Sequence, residues 1–251
     1  MYRFKKEITD KNKVLLACPT SEKKAYIQEA WLKHLSKLSY PNLDILIVDN
    51  SETIDNSKKI ESYGIKNLKV IWVGDKIDFK KDSLRLIMTR CTNLIFKYFL
   101  KRNYSHWVSL ESDNFPPLNF IEHLMAQNKS CAGLSYFHGG GIQLSHTIMH
   151  RITKTGHCID LKCKETYYEV TGGFIPVYQC GIGCMLVKRN VIKKIPKLEY
   201  FDSAVGLFPD AFFLDELYQK FNYFPYIDTR HYCLHYNNDK IWEGIHNSTN
   251  V

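Results

Sequence analysis

The sequence predicts an α/β fold in which a mostly parallel central sheet is flanked by helices. In the first half of the 251-residue chain, short apolar runs alternate with segments of helical apolar periodicity, which is the pattern of parallel βαβ units. After about residue 137, segments rich in Thr, Tyr and Val indicate a smaller mixed or antiparallel region. No Pro-, Ser- or Gly-rich tract separates the halves, so we expect one continuous domain over residues 1–251.

Four apolar runs in the first half are predicted to be strands. They cover residues 14–18, 44–48, 69–73 and 107–110. Helical segments lie between them, and two of these carry an apolar stripe that is predicted to pack in the core rather than to bind a cofactor. The stripes are Ile27, Trp31, Leu35 and Leu38, and then Leu84, Ile87, Met88, Cys91, Ile95 and Phe99.

The second half is predicted to extend the sheet. Strand-like segments lie near residues 145–153 and 166–178, and a further strand is expected at 180–189. Its glycines, Gly181 and Gly183, either allow close approach of a ligand or another backbone or serve packing alone.

Composition and charge exclude several classes of protein. No glycine-rich dinucleotide or P-loop motif follows the first strand, which argues against nicotinamide enzymes and P-loop hydrolases. The net charge of +8 is scattered in ones and twos, so nucleic-acid binding is not expected, whereas an anionic small substrate or peripheral contact with an anionic membrane fits its sign. The polar start of the chain predicts neither a signal peptide nor a membrane span, and therefore a cytoplasmic location with reduced cysteines.

Two carboxylates follow the fourth predicted strand. Glu111 and Asp113 stand two residues apart in an extended segment, so both project to the same side, at the carboxyl edge where open α/β sheets bind ligands. Hard oxygen ligands on a short loop suit Mg²⁺ or Mn²⁺. The alternative is that Ser112, Asp113 or Asn114 simply caps a helix, whose start is indicated by Pro116 and Pro117.

The same edge collects polar residues from two other strands. Asp49 and Ser51 end the second strand, where a carboxylate could accept hydrogen bonds from a base or ribose. The alternative is a capping role for the helical run at 52–62. Pro19 and Thr20 follow the first strand and could contact a nucleobase.

A third acid, Asp210, lies near the start of a predicted helix. The core stripe of that helix is Phe213, Leu214, Leu217 and Phe221. At 100° per residue Asp210 projects onto the stripe, whereas Asp215 and Glu216 are predicted to point into water. An acid that points into the fold needs a partner or a task.

Taken in order, these segments form a series of motifs. They are residues 14–20, 47–51, 111–117, 181–189 and 209–213, followed by 227–228 and His235. The series resembles the GT-A fold glycosyltransferases, and family 2 in particular, over about residues 13 to 242. The resemblance implies a Rossmann-like domain with a nucleotide-binding half at about 13–137, an acceptor half at about 138–235 and a lid or tail at 236–251.

The implied reaction is transfer of a sugar from a nucleotide-diphosphate sugar to an acceptor hydroxyl, with inversion and with the help of Mn²⁺ or Mg²⁺. The acceptor would be a glycan, a lipid-linked molecule or a protein. Asp113 matches the metal ligand of the family's Asp-x-Asp motif, and His235 matches a late histidine that completes the metal site. Asp210 matches the general base that deprotonates the acceptor.

The remaining implied roles concern the donor. Asp49 matches the nucleoside-binding aspartate, and Glu111 a ribose contact or an indirect support of the metal. Pro19, Thr20, Ser51 and Ser112 stand on the same donor-binding loops. In the terminal stretch, Lys240 would lie against the diphosphate and Trp242 would cover the site, unless this stretch is a frayed tail.

The chain departs from the family pattern at two positions. Glu111 replaces the first Asp of the metal motif, and Pro209 replaces the Glu before the catalytic Asp. These changes leave open a non-catalytic module that binds sugar nucleotides or glycans. A nucleotidyltransferase is a further alternative, although the loop after the first strand lacks the glycines typical of that class.

Overall fold

The computed structural model describes most of the chain. The described residues are 12–139, 145–147, 149–152, 158–160, 173–177, 179–200, 208–237 and 240–242. Residues 166–172 and 178 of the predicted strand segment at 166–178 lie outside them.

The strands and helices have the following bounds. The strands are β1 Val14–Thr20, β2 Leu43–Asp49, β3 Leu68–Trp72, β4 His106–Leu110, β5 Asn114–Phe115, β6 Cys131–Gly139, β7 Ser145–Thr147, β8 Met149–Ile152, β9 Cys158–Asp160, β10 Phe174–Pro176, β11 Gln179–Cys180, β12 Cys184–Lys188, β13 Tyr226–Asn237 and β14 Lys240–Trp242. The helices are α1 Ala25–Leu35, α2 Asp55–Ser62, α3 Leu84–Leu100, α4 Phe120–Ala126, α5 Arg189–Lys194 and α6 Pro209–Phe221.

The central sheet is mixed but mostly parallel. Its order is β10-β13-β6-β12-β4-β1-β2-β3. Strands β4, β1, β2 and β3 are parallel, β12 runs antiparallel between β4 and β6, and β13 is parallel to β6. Strands β11, β8 and β9 form a separate small sheet. The predicted parallel sheet with a smaller mixed region is confirmed.

Both faces of the sheet are covered by helices, because side chains alternate along each strand. In β1, Leu15 and Ala17 pack in one core with residues of α3, α5 and α6. Val14 and Leu16 pack in the other with residues of α1, α2 and α4. In the part of the chain that the structure describes, no helix is long and apolar enough to cross a membrane.

Several predicted elements differ in detail. Leu38, expected on the first helical stripe, lies beyond the end of α1 at Leu35. The helical run expected at 52–62 begins only at Asp55. Strand β12 begins at Cys184 rather than at 180, and Cys180 belongs to β11. Between the two strands, Gly183 lies in a tight loop where an added Cβ would come within 2.7 Å of Glu111 Oε2. The predicted core stripe of α3 holds except at Leu84, which is 60% exposed, and at half-buried Met88, since the first turns of α3 border the cleft described next.

Candidate active site

A cleft of about 470 Å³ opens at the carboxyl edge of β1 and β4. Its lining residues are Pro19, Thr20, Ser21, Lys23, Lys24, Asn50, Leu84, Met88, Glu111, Ser112, Asp113, Tyr136, Phe208, Asp210 and His235. The cleft therefore contains many of the polar residues predicted from the strand ends. Its walls combine acids, lysines and apolar side chains.

Two acids and a histidine meet at this cleft. One ligand atom from each of Glu111, Asp113 and His235 lies within 4.8 Å of the others. Strand pairing brings them together, because the Cα of His235 in β13 lies opposite Asn114 in β5. The backbone N–H of Tyr236 donates to the carbonyl of Asp113 at 3.0 Å, and that of Glu111 donates to the carbonyl of Gly183 at 2.9 Å. The loop that carries both acids is thus held at each end.

The pKa values of the two acids are shifted in opposite directions. The ammonium of Lys24 forms an ion pair with Asp113 Oδ2, and His235 Nε2 lies 3.5 Å from the same oxygen. Burial alone would raise the pKa of Asp113, but His235 and Lys24 hold it below its usual value. For Glu111, recessed surroundings and the neighbouring Asp113 charge raise the pKa to about 7. The Glu111 side chain is exposed to water inside the cleft, but protein surrounds it on most sides. An exposed side chain can therefore still have a raised pKa.

The donor set fits a divalent cation. Two carboxylates and one imidazole are ligands that Mn²⁺ accepts, and Mg²⁺ would use the oxygens. Glu111, Asp113 and His235 would hold such an ion, provided that Lys24 turns away from Asp113. Lys24 therefore acts as a competing positive charge at the same oxygen.

Asp210 lies in the first turn of α6 and lines the same cleft. Burial raises the pKa of its carboxyl group, although the backbone N–H of Ala211 donates to Oδ1 at 2.8 Å. A raised pKa suits a group that must accept a proton near neutral pH. The inward direction expected for Asp210 agrees with this position. Asp215 and Glu216 are half-buried rather than in open water, and Glu216 pairs with Lys220 one turn away.

Asp49 and Ser51 are not among the residues that line the cleft. The Asp49 carboxylate is fully buried and accepts hydrogen bonds from the Ser51 hydroxyl at 2.6 Å, Asn56 at 3.0 Å and the Ser57 hydroxyl at 2.7 Å. Ser51 Oγ also accepts from the backbone N–H of Glu22 at 2.9 Å. Asp49 thus contacts the first turn of α2 through the side chains of Asn56 and Ser57, but it does not cap the helix, whose N-cap is Ile54 with no side-chain capping hydrogen bond. Its donor-binding role stays a prediction.

The first strand brings Pro19 and Thr20 to the cleft as expected. The Thr20 hydroxyl donates to Ser112 Oγ at 3.1 Å, which joins the loops after β1 and β4. Asn50, rather than Asp49, lines the cleft from the end of β2. These contacts leave a polar wall on which a base or ribose could lie.

Lys240 and Trp242 belong to a strand rather than to a frayed end. In the antiparallel pairing of β14 with β13, Trp242 stands opposite His235 and Lys240 opposite Asn237. The backbone of this hairpin therefore adjoins the candidate site. The donor contacts expected of the two side chains stay predictions.

Sequence reasoning missed several residues of the cleft. Lys24 is the most important, and the only signal for it was a pair of lysines just beyond the first strand. Tyr136 was also missed: its hydroxyl accepts from the backbone N–H of Gly183 at 3.1 Å, beside Glu111. Leu84, Met88 and Phe208 form an apolar wall that periodicity alone assigned to the core or left unassigned.

No protein-family model matches the chain, and no curated protein matches it in sequence. Solved structures do match. A197 from STIV superposes with a TM-score of 0.50 and 14% identity, over 91% of this chain and 87% of that chain. Residues 1–349 of S. aureus TarS superpose with a TM-score of 0.54 and 15% identity, over 86% of this chain and 57% of that chain. This chain has the GT-A fold.

The TarS fragment has also been solved in complex with UDP-GlcNAc. That structure matches with a TM-score of 0.53 and 14% identity, over 86% of this chain and 55% of that one. The chain thus spans a little over half of the TarS fragment. At this identity the likeness concerns the fold alone.

Proposed function

We propose that the protein is a metal-dependent glycosyltransferase that moves a sugar from a nucleotide-diphosphate donor to an acceptor hydroxyl with inversion. The observation that carries this proposal is the meeting of Glu111, Asp113 and His235 at one cleft that Asp210 also lines. A GT-A fold supports it. Mn²⁺ or Mg²⁺ is the proposed cofactor.

In this reaction the acceptor oxygen forms a bond to the anomeric carbon while the bond from that carbon to the diphosphate breaks. Asp210 accepts the acceptor proton, which its raised pKa favours. A divalent cation at this cluster would offset the negative charge on the leaving diphosphate. Asp113, Glu111 and His235 would hold that cation, and Lys24, once released from Asp113, could pair with a phosphate oxygen.

The wall from Pro19, Thr20, Asn50 and Ser112 would receive the nucleoside. Because TarS has been solved with UDP-GlcNAc and with UDP, uridine diphosphate sugars are the first donors to test. The acceptor side is the part of the chain after residue 137, and we propose a glycan, a lipid-linked molecule or a protein as acceptor.

The deciding experiment is a pair of measurements on the same protein. A thermal-shift screen against nucleoside diphosphates, with and without Mn²⁺, should show a nucleotide that raises Tm only when metal is present, because a ligand of the native state stabilises it by mass action. Hydrolysis of the matching donor sugar should then occur at a slow, Mn²⁺-dependent rate. Stabilisation by no nucleoside diphosphate in either condition would contradict the proposal.

A second candidate function is a module that binds sugar nucleotides without turnover. The ion pair between Lys24 and Asp113 favours it, since a lysine there already neutralises the metal-binding acid. Such a module would bind the nucleoside diphosphate equally well with EDTA and would release no sugar from the donor.

A further inference from the structure

A second cluster of metal-ligating side chains lies outside the cleft. His123 Nε2 is 2.7 Å from Asp228 Oδ2, and His231 Nδ1 is 2.8 Å from that same oxygen. One ligand atom from each of the three residues lies within 4.8 Å of the others. None of these three residues lines the cleft.

An irregularity in β13 builds this cluster. The pairing of β13 with β6 shifts register between Asp228 and Tyr232, as in a β-bulge, which re-aims side chains. Asp228 and His231, three residues apart, therefore reach the same point. His123 comes from α4, and its ring centroid lies 4.4 Å from that of His231.

The two oxygens of Asp228 have different partners. Oδ1 accepts from the backbone N–H of Arg230 at 2.9 Å and from Arg230 Nε at 3.4 Å. Oδ2 faces the two imidazoles. The carboxylate is fully buried, whereas the side chains of His123 and His231 are 24% and 48% exposed. Because the two histidines at Oδ2 are partly exposed, an ion from solvent would approach on the Oδ2 side. The positive charge of Arg230 lies at the opposite oxygen, Oδ1.

We propose that His123, Asp228 and His231 form a second metal site, which takes a borderline-soft divalent ion such as Zn²⁺, with water as the fourth ligand. Two imidazoles and one carboxylate are a common zinc set. Ligand atoms at ~2.0–2.1 Å from a tetrahedral zinc are roughly 3.3 Å apart, so the present separations of 2.7 and 2.8 Å need to widen by only about half an ångström. The half-exposed His231 ring can make that movement.

The exchange balances in charge and protons. In the metal-free state each imidazole contributes the nitrogen that faces Oδ2 to a hydrogen bond. Binding of Zn²⁺ requires lone pairs on both nitrogens, so any proton held there is released or moves to the other ring nitrogen. The ion would then tie α4 to the bulge of β13, the strand that also carries His235.

The test uses tag-free protein dialysed against Zn²⁺, with bound zinc counted by mass spectrometry and the Co²⁺-substituted form followed by its visible absorption. We expect the wild type and Asp113→Asn to retain zinc, and His123→Gln and His231→Gln each to bind it about 100-fold more weakly or worse, since even residues behind the ligands change affinity by ~10–100-fold. His34→Gln is the matched control, because His34 Nε2 contacts the Pro116 carbonyl at 2.8 Å in a different region.

Circular dichroism checks that each variant is folded. The proposal requires that both His→Gln variants lose zinc affinity. Two results would overturn the proposal. One is zinc affinity in both variants equal to that of the wild type, including the case in which none of the three proteins binds zinc. The other is zinc lost from Asp113→Asn but not from His231→Gln, which would place the ion in the cleft. Neither result bears on whether the cleft binds a nucleotide.

Discussion

Strand β13 contributes to two acid–histidine clusters that use the same residue types in opposite proportions. The cleft cluster has two acids, Glu111 and Asp113, and one histidine. The second cluster has one acid, Asp228, and two histidines. In the first, burial and the second acid raise the pKa of Glu111 to about 7. In the second, burial alone would raise the pKa of Asp228, but its hydrogen bonds to Arg230, His123 and His231 lower it.

The difference shows how composition decides what a cluster can bind. Two acids in a recessed site have more negative charge than their partners neutralise, so the site favours a proton or a hard cation. A single acid between two imidazoles is already satisfied by hydrogen bonds, so only an ion that prefers nitrogen ligands can replace them. Under the two proposals, the first cluster would hold a dissociable cation beside a substrate, and the second would hold an ion with a structural role.

The largest expected effect tests the charge of the cleft cluster. Asp113→Asn keeps the size of the side chain but removes the charge that the cation requires, so we expect Mn²⁺-dependent binding of the nucleoside diphosphate to be abolished in a calorimetric titration. Glu111→Asp is the control, because it keeps an oxygen ligand and should be tolerated. Full metal-dependent binding by Asp113→Asn would show that the charge of Asp113 does not hold the cation, and the contrast between the two clusters would fail.

A second prediction separates the metal cluster from the proton acceptor. Asp210→Asn should leave affinities for donor and metal nearly intact while lowering turnover by ~10²–10⁴-fold, the usual contribution of a positioned base. Asp215→Asn, in the same helix, should change turnover little. The measurement is initial rate against acceptor concentration. A larger loss of turnover in Asp215→Asn than in Asp210→Asn would show that Asp210 is not the base.

A third prediction concerns the competing cation of the cleft. Lys24→Gln removes the charge that pairs with Asp113, so Mn²⁺ affinity in the absence of nucleotide should rise about fivefold, the equivalent of ~1 kcal/mol for a partly exposed ion pair. Lys23→Gln removes the same charge one residue away and should have a smaller effect. If Lys24→Gln instead weakens nucleotide binding in EDTA and leaves metal affinity unchanged, the ammonium of Lys24 takes the place of a metal ion at the diphosphate.

Sequence reasoning predicted the cleft cluster better than the second one, for a physical reason. The carboxyl ends of β1 and β4 lie at one edge in any parallel sheet, so Thr20, Glu111 and Asp113 could be placed together without coordinates. The same rule expected Asp49 at this edge, but its carboxylate is occupied by Asn56 and Ser57. The end of a strand fixes where the backbone of a residue lies, but not which hydrogen bonds its side chain makes.

The second cluster had no comparable signal. Asp228 and His231 converge because β13 shifts register against β6, and a bulge leaves no periodic trace in the sequence. His123 comes from a helix far away in the chain. Similarly, the period of α3 identified its inward face, but not that Leu84 lies where the helix borders the cleft and is therefore exposed. Contacts set by an irregular backbone are what a pattern cannot predict.

The smallest expected effect sharpens the comparison through pH. Because the native pKa of Glu111 is raised to about 7, its neutral form favours folding, and that contribution is lost as pH rises from about 4.5 towards 7. Glu111→Gln should therefore gain Tm relative to the wild type over this range in EDTA, by about 2–4 °C, the equivalent of ~1 kcal/mol for a chain of this size, since cleft water screens part of the charge.

Asp228 should show the opposite sign, because its pKa is lowered and its contribution is present at neutral pH and lost as pH falls through the native pKa. His231→Gln, which removes a hydrogen bond to Asp228, should thus lose Tm in EDTA throughout the range above the ordinary carboxyl pKa of 3.8, and the deficit should shrink only at more acidic pH. Thermal melts of both variants from about pH 2 to pH 8, which spans both windows, provide the measurement, with His34→Gln as the control for loss of a partly buried histidine. Parallel Tm changes in the two variants would mean that the clusters do not differ in charge balance, because only opposite shifts of the two carboxyl pKa values give curves that diverge with rising pH.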